Sequence, residues 1–272
     1  MDRRSALLLL ALGATSTATA SKMRRAETPG DSSILFVGDY ETGDTSQYAA
    51  NELGVSVARP KVITSLTRGR DSVYACAYGL SNDQNRCESV PAYSDRCFVA
   101  TEGSDLYYGW SVYFDENLPK APWQICGQWH QSFLGGSGPF DAASPPMAFY
   151  VASTTASQGT RWCLANNGSN PWERGWSLDL GPVPRGEWTD IVVRAKFSII
   201  PSKCYVEVWI NGVSNGSVVP PVPTLYPTDE VVERVSYFKV GYYRDPTTLV
   251  PGRVIYDNVK IGADYSSVQP SS

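Results

Sequence analysis

His130 is the only histidine in the 272-residue chain, and it ends the short segment Gly-Gln-Trp-His at residues 127–130. Histidine is the side chain whose unperturbed pKa permits proton exchange near neutral pH. Side chains on a β-strand alternate between faces, so Gln128 and His130 share one face while Trp129 points to the other. If the chain performs proton chemistry near neutral pH, its imidazole can act at this one position.

A second segment, residues 237–244, reads Tyr-Phe-Lys-Val-Gly-Tyr-Tyr-Arg. The apolar members Phe238 and Val240 identify the face that packs in the core. The same alternation leaves a polar face with one cation and two phenols, formed by Tyr237, Lys239, Gly241 and Tyr243. A glycine in the middle of a strand allows a ligand to approach the backbone closely. The pattern indicates a sheet with a binding floor.

These residue types suit the cleavage of a uronic-acid polymer by β-elimination. The proton on C5 becomes removable only when the adjacent carboxylate is neutralised, so the reaction needs a clamp for that carboxylate. The amide of Gln128 can donate to it, and Lys239, Arg86 or Arg244 can neutralise it.

The same reaction needs a base for C5 and an acid for the leaving O4. His130 or Tyr243 can supply the base, and the sequence does not decide which of the two is base and which is acid. A tyrosine has an unperturbed pKa of about 10 and needs a nearby cation to serve as a base, which Lys239 on the same face would provide.

The rest of the chain is typical of an all-β protein that forms a two-sheet sandwich or jelly roll. Period-2 alternation rich in aromatic and β-branched residues predicts strands at 106–114, 146–152, 188–198, 204–210, 235–243 and 254–261. Asn211 and Gly212 between two such segments predict a tight hairpin of type I′. Trp172 and Trp176 fall in a loop rich in Gly and Asn, where they are candidates for sugar contact.

The N-terminus has the pattern of a secretory signal: two arginines, a short apolar stretch and small residues ending in Ala-Thr-Ala. We predict a signal peptide at 1–20, a disordered lead or propeptide at 21–32, one domain at 33–265 and a polar tail at 266–272. No apolar stretch approaches the ~20 residues of a membrane span. The expected location is extracellular.

The six cysteines of an exported chain predict up to three disulfides, with the pairing left open. Asn167 and Asn215 match the N-glycosylation pattern. The net charge of −4 argues against a nucleic-acid partner, although a local cluster of cations can still bind an anionic ligand. With few clustered arginines, a carboxylate polymer is favoured over a heavily sulfated one.

Residues 127–130 and 237–244 resemble the two signature strands of the jelly-roll polysaccharide lyases, the group of heparin lyase I, glucuronan lyases and, more distantly, alginate lyases. Arg86-Cys87-Glu88 is similar to the Arg-x-Glu of an upstream strand of that group. The resemblance extends from about residue 34 to residue 261. It implies a concanavalin-like β-jelly roll of two antiparallel sheets, His130 and Tyr243 as catalytic pair, and Gln128, Lys239 and Arg86 as uronate-binding residues.

Two other functions fit the same fold, because fold does not determine function. One is a non-catalytic, lectin-like carbohydrate-binding domain. The other is a glycoside hydrolase, which would need two carboxylates flanking the scissile bond, and no closely spaced pair of same-face acids is evident. We expect no metal at the catalytic site and no cofactor for catalysis, while a structural calcium ion is compatible with Asp and Asn oxygens. The expected partner is an anionic polysaccharide, bound by a monomer.

Overall fold

A computed structural model describes residues 33–53, 58–69, 71–93, 96–131, 145–155, 159–166, 176–226 and 235–270. These residues are almost entirely β-strand. The strands are β1 (Ile34–Gly38), β2 (Tyr48–Leu53), β3 (Lys61–Ile63), β4 (Ala75–Leu80), β5 (Arg86–Tyr93), β6 (Arg96–Cys97), β7 (Val99–Thr101), β8 (Asp105–Phe114), β9 (Gln124–His130), β10 (Met147–Thr155), β11 (Gly159–Ala165), β12 (Ser177–Pro182), β13 (Trp188–Lys196), β14 (Tyr205–Ile210), β15 (Val213–Val218), β16 (Val235–Arg244) and β17 (Gly252–Gly262). A 3-10 turn spans Pro201–Lys203, and one helical turn, α1, spans Tyr265–Val268.

The strands form two antiparallel sheets that pack face to face. An eight-stranded sheet has the order β15-β14-β13-β8-β17-β4-β3, with β1 beside β17. A nine-stranded sheet has the order β12-β11-β10-β9-β16-β5-β2, with β7 beside β16 and β6 beside β5. The predicted all-β jelly roll of two antiparallel sheets is confirmed.

The core between the sheets is built from large aromatic side chains. Trp110 on β8 meets Phe238 on β16 with ring centroids 5.2 Å apart, and Trp129 on β9 meets the same ring at 4.8 Å. Trp110 and Trp129 are fully buried, and burial of one such side chain contributes ~3 kcal/mol. Because Trp129 and Phe238 point into the core, the alternate residues of β9 and β16 must face outward.

The six strands expected from alternation are all present, with ends that differ by at most three residues. The predicted hairpin at Asn211 and Gly212 is also confirmed. Both residues have positive φ, 49° and 80°, as a type I′ turn requires.

The segment after residue 265 is not simply a polar tail. The turn α1 is capped by Asp264, whose Oδ1 accepts a hydrogen bond from the Ser267 amide. Val268 is fully buried and lies over Gly109, where a Cβ would overlap the Val268 carbonyl. The apolar side chain at 268 and the missing side chain at 109 together hold this segment on the eight-stranded sheet. The signal and lead segments lie outside the described residues.

The expected disulfides do not form among the cysteines that the structure describes. Cys76, Cys87, Cys126, Cys163 and Cys204 are free and buried, and the side chain of Cys97 lies outside the described part of the chain. Burial raises the pKa of the Cys76, Cys87 and Cys163 thiols to about 12. They behave as small apolar side chains, which an even cysteine count cannot distinguish from paired ones.

Trp176 also departs from expectation. It belongs to the core cluster and is 7% exposed, so it is not available for sugar contact, and Trp172 lies outside the described residues. In the same described part of the chain, no helix has the length and apolar character needed to cross a membrane.

Candidate active site

Most of the site residues predicted from the sequence lie together on the outward face of the nine-stranded sheet, on strands β5, β9 and β16. In the antiparallel pairing, Tyr237 lies opposite His130 and Lys239 lies opposite Gln128. On the other side of β16, Gly241 lies opposite Glu88 and Tyr243 opposite Arg86. We call this outward surface, formed by Arg86, Glu88, Gln128, His130, Tyr237, Lys239 and Tyr243, the polar face.

Two glycines with positive φ shape the strands beneath it. Gly127 and Gly241 have φ values of 143° and 145°, a backbone conformation that side chains with a Cβ rarely adopt. At Gly241 a Cβ would overlap the Cys87 carbonyl oxygen and lie 2.6 Å from the Glu88 Cα. Glycine at position 241 therefore lets β5, including Glu88, approach β16 closely.

The imidazole of His130 is partly exposed and contacts one phenol. Its Nδ1 lies 3.3 Å from the Tyr237 Oη, and the two ring centroids are 5.7 Å apart. Tyr237 itself is 4% exposed and packs against Val90, Val99 and Val235. A phenol held this firmly fixes the orientation of the imidazole and can exchange a proton with it.

The carboxylate of Glu88 is fully buried at the centre of the polar face. Its Oε1 accepts a hydrogen bond of 2.5 Å from the Gln128 amide nitrogen, and its Oε2 lies 3.4 Å from the Arg86 Nε. Burying a carboxylate is costly unless such partners compensate. The structure thus joins Gln128 and Arg86, both predicted uronate ligands, through a carboxylate between them.

The ammonium group of Lys239 lies beside the pair formed by His130 and Tyr237. Lys239 is 2% exposed, and its Nζ is 5.1 Å from the centroid of the Tyr237 ring, within the range of a cation–π interaction. This places a buried positive charge two residues from Tyr237 on the same face. The site therefore combines an imidazole, a phenol and a cation.

Tyr243 lies on the same outward face but belongs to a different part of it. The guanidinium carbon of Arg86 sits 3.8 Å from the centre of its ring, and Trp123 meets the ring edge-on with centroids 4.9 Å apart. Six residues of β16 separate Tyr243 from Tyr237, which corresponds to about 20 Å along the strand. The structure does not place Tyr243 beside His130; the adjacent phenol is Tyr237.

Arg244 was predicted to bind substrate, but its side chain lies on the core side of β16 and does not belong to the polar face. It is fully buried, and its guanidinium donates to the backbone carbonyls of Ser81, Gln84 and Val250. The parity that places Phe238 and Val240 in the core also applies to residue 244. Its charge is used to hold two loops together.

Tyr237 and Glu88 contact predicted site residues but were not among the site residues predicted from the sequence. The sequence did place both residues on the correct face: alternation puts Tyr237 on the polar side of its strand, and it puts Glu88 on the same side as Arg86. The pairing of strands decided which phenol meets the imidazole, and alternation within one strand carries no information about that pairing.

Among the described residues, no three His, Cys, Asp or Glu side chains come together as a metal site. One oxygen cluster nevertheless has the composition that hard cations prefer, away from the polar face. The Ser72 hydroxyl lies 2.7 Å from the Asp257 Oδ2, 3.1 Å from the Glu41 Oε1 and 3.0 Å from the Tyr74 carbonyl oxygen. Burial, reinforced by the charge of Glu41 and opposed by hydrogen bonds, raises the pKa of Asp257 from 3.8 to about 6. A bound calcium ion would offset this unfavourable burial of a carboxylate.

Comparison with known proteins identifies the family of this chain. A family model described as polysaccharide lyase matches residues 40–260, which include every residue of the polar face. The chain belongs to the polysaccharide lyase family. No curated protein sequence matches this lyase.

Solved structures similar to this lyase share its fold at low sequence identity. An endo-β-1,4-glucuronan lyase from the fungus Trichoderma reesei superimposes with a TM-score of 0.64 at 15% identity, covering 88% of this chain and 99% of that one. An alginate lyase variant in complex with an alginate tetrasaccharide gives a TM-score of 0.54 at 12% identity, covering 86% and 96%. A cellulose-induced protein gives 0.51 at 13% identity, covering 84% and 97%.

Proposed function

We propose that this lyase cleaves a uronic-acid polymer by β-elimination at the polar face. The contact between His130 and Tyr237, next to the buried ammonium of Lys239, is the observation that carries the proposal. Glucuronan and alginate are the favoured substrates, with glycosaminoglycan as the alternative. The similar folds of a glucuronan lyase and an alginate lyase support this choice of polymers.

The proton steps belong to His130 and Tyr237. One of the two removes the C5 proton of the uronate, the electrons form the C4=C5 double bond, and the bond from C4 to O4 breaks. A proton from the pair then goes to the leaving O4. Since the two groups are 3.3 Å apart, they can exchange the proton between these steps, which allows either one to be regenerated.

Neutralisation of the uronate carboxylate falls to Lys239 and Gln128. The Lys239 charge is removed from water, so its attraction for an anion is stronger than that of an exposed lysine. Gln128 uses one amide N–H for Glu88 and retains a second for the substrate. Glu88 holds that amide in place and offsets the charge of Arg86, so the three charged groups of the polar face sum to one positive charge.

Arg86, Tyr243 and Trp123 would form a neighbouring sugar subsite on the same face. The exposed part of the Tyr243 ring offers a stacking surface, and Arg86 offers a cation for a further uronate. In this role, Tyr243 contacts the same polymer as His130, although the two residues are far apart along the sheet.

The remaining expectations fit this activity. We propose that the protein is secreted with the help of residues 1–20, acts as a monomer and carries glycans. Asn215 is exposed in the hairpin of β14 and β15, whereas Asn167 lies outside the described residues. Catalysis is proposed to need no cofactor, and calcium is proposed to bind at Glu41, Ser72, Tyr74 and Asp257 in a structural role.

The direct test is to incubate the purified protein with a panel of uronate polymers and to follow the absorbance of the C4=C5 double bond. We expect the signal to rise with glucuronan or alginate. Depolymerisation without that absorbance would indicate a hydrolase, and binding without depolymerisation would indicate a lectin-like domain. Either result would overturn the proposal.

A further inference from the structure

A cavity of about 370 Å³ opens on the outward face of the eight-stranded sheet, on the side of the sandwich opposite the polar face. Trp188 and Tyr265 supply aromatic walls, and Arg68, Asp190, Asn211 and Gln269 supply polar ones. Its size falls within the range of ~300–1,000 Å³ typical of small-ligand sites. The two packed sheets separate it from the polar face by a distance of ~10 Å or more, so it is not part of the same cleft.

The polar walls are held in fixed positions by one another. Arg68 donates to both oxygens of Asp190, from Nε at 3.1 Å and from Nη2 at 2.8 Å. The Ser111 hydroxyl donates to the same carboxylate at 2.7 Å, and the Asp190 amide donates to the Asn211 Oδ1 at 2.9 Å. A ligand would therefore meet groups that are already oriented, which reduces the entropy lost on binding.

The groups that line this cavity match the chemistry of a sugar ring. Asn211 accepts through its oxygen and keeps its amide nitrogen as a donor, while Asp190 remains an acceptor. Donors and acceptors beside aromatic rings suit hydroxyl groups on a pyranose, which donate, accept and also present an apolar C–H face.

The charges of the cavity determine the class of sugar. Arg68 is the cation in the wall, and its charge is balanced by the paired Asp190. The cavity therefore offers no net positive charge to a carboxylate, whereas Arg86, Lys239 and Glu88 together leave one on the polar face. We infer that the cavity between Trp188 and Tyr265 is a second carbohydrate-binding site, which holds a neutral pyranose unit through its hydroxyl groups.

Such a site would attach the protein to a neutral glycan while the polar face acts on an anionic one. This inference does not depend on the proposed reaction, because it concerns binding at the other side of the sandwich. It can hold even if the polar face performs a different chemistry.

The test measures retardation of the protein in native gels that contain a soluble neutral β-glucan or, separately, glucuronan. The variants are Trp188→Ala and Asn211→Asp, and the second keeps both the side-chain oxygen and the left-handed turn while removing the amide donors. Tyr205→Ala serves as the matched control, because Tyr205 is a partly exposed aromatic of β14 in the same sheet and does not line the cavity. Thermal unfolding of each variant verifies that the fold is intact.

We expect the neutral β-glucan to retard the parent protein and the control, with an apparent Kd at least 5-fold weaker in both cavity variants. Activity on uronate oligosaccharides should be unchanged in the same variants. Equal retardation of parent and variants, or no retardation by the neutral glucan, would overturn the inference. Loss of glucuronan binding alone would contradict the assignment to a neutral sugar.

Discussion

The polar face of the nine-stranded sheet and the cavity side of the eight-stranded sheet differ in the charged groups that they hold. On the eight-stranded sheet, arginines form close pairs with aspartates, as in Arg68 with Asp190 and Arg194 with Asp105, at 2.8 and 2.9 Å. On the nine-stranded sheet, Glu88 and Lys239 are almost completely withdrawn from water. Close surface pairs contribute little beyond local order, whereas burial of charged groups costs stability even when they have partners, as Glu88 has in Arg86 and Gln128, and is characteristic of functional sites.

The difference indicates where an anionic polymer binds. The charges of Arg68 and Asp190 cancel, whereas Arg86, Lys239 and Glu88 together leave one net positive charge on the polar face, which attracts a carboxylate. The polar face should therefore be sensitive to changes of charge and proton-transfer groups. Changes on the outward face of the eight-stranded sheet should affect stability and the binding of neutral ligands.

The largest effect is expected from His130→Ala. Removing the imidazole eliminates one member of the proton-transfer pair, so turnover should fall by about 10²- to 10⁴-fold. Initial rates followed through the absorbance of the unsaturated product measure this loss, and binding of the intact polymer should persist. Val213→Ala, an exposed substitution on the other sheet, is the control. Turnover within a few fold of the parent would remove His130 from the mechanism.

Gly241→Ala should cause the next largest effect, on stability. The new Cβ would overlap the Cys87 carbonyl oxygen at a backbone φ of 145°, and we expect a loss of ~3 kcal/mol in the free energy of unfolding. Urea denaturation measures it. Gly103→Ala is the matched control, because it has a positive φ of 83° but nothing within 4 Å of its Cβ position. Equal losses in both variants would show that the close approach of β5 to β16 is unimportant.

Lys239→Met should lower kcat as well as weaken substrate binding, because the C5 proton is removable only when the adjacent carboxylate is neutralised. The methionine keeps the apolar stem but loses the charge, so KM for a uronate polymer should rise by about 10- to 100-fold. Steady-state kinetics at several salt concentrations test this. Lys260→Met on β17 of the other sheet provides the comparison. An unchanged KM would place the carboxylate clamp elsewhere.

A smaller effect is expected at Asp257, and it depends on pH and calcium. The folded protein binds a proton there more tightly than the unfolded chain does, because the pKa is about 6 instead of 3.8. Without calcium, stability should therefore fall as pH rises from 4 to 6, by at most ~3 kcal/mol. Calcium should reverse this fall, since it stabilises the ionised carboxylate.

Thermal unfolding of the parent and of Asp257→Asn, with calcium or with a chelator, separates this contribution from those of other carboxyl groups. The asparagine variant should lack both the pH dependence between 4 and 6 and the response to calcium. A parent protein whose midpoint does not respond to calcium at pH 7 would contradict the proposed cation site.

The sequence predicted the fold and the outward face well, because both depend on local alternation. The strand from Val235 and the segment 127–130 were expected with the correct faces, and Trp129 and Phe238 lie in the core as their apolar character indicates. The hairpin at Asn211 followed from turn chemistry alone.

The arrangement within the site could not be predicted, because it depends on contacts between distant segments. The pairing that puts Tyr237 opposite His130 is set by how β9 and β16 align, and the backbone of Gly127 changes that alignment locally. The burial of Arg244 depends on carbonyls of loops more than 100 residues away and on that of Val250. The free thiols could not be predicted either, because a cysteine buried in a core has the same sequence signal as a cysteine in a disulfide.

The most direct test of the account compares Tyr237→Phe with Tyr243→Phe. Each variant loses one hydroxyl from the same face and the same strand, and only the hydroxyl of Tyr237 lies 3.3 Å from the imidazole. We predict that Tyr237→Phe lowers kcat on a uronate polymer by at least ~100-fold, while Tyr243→Phe changes kcat less than ~5-fold and acts mainly on KM. A large loss of kcat in Tyr243→Phe with near-normal turnover in Tyr237→Phe would contradict the pairing of His130 with Tyr237.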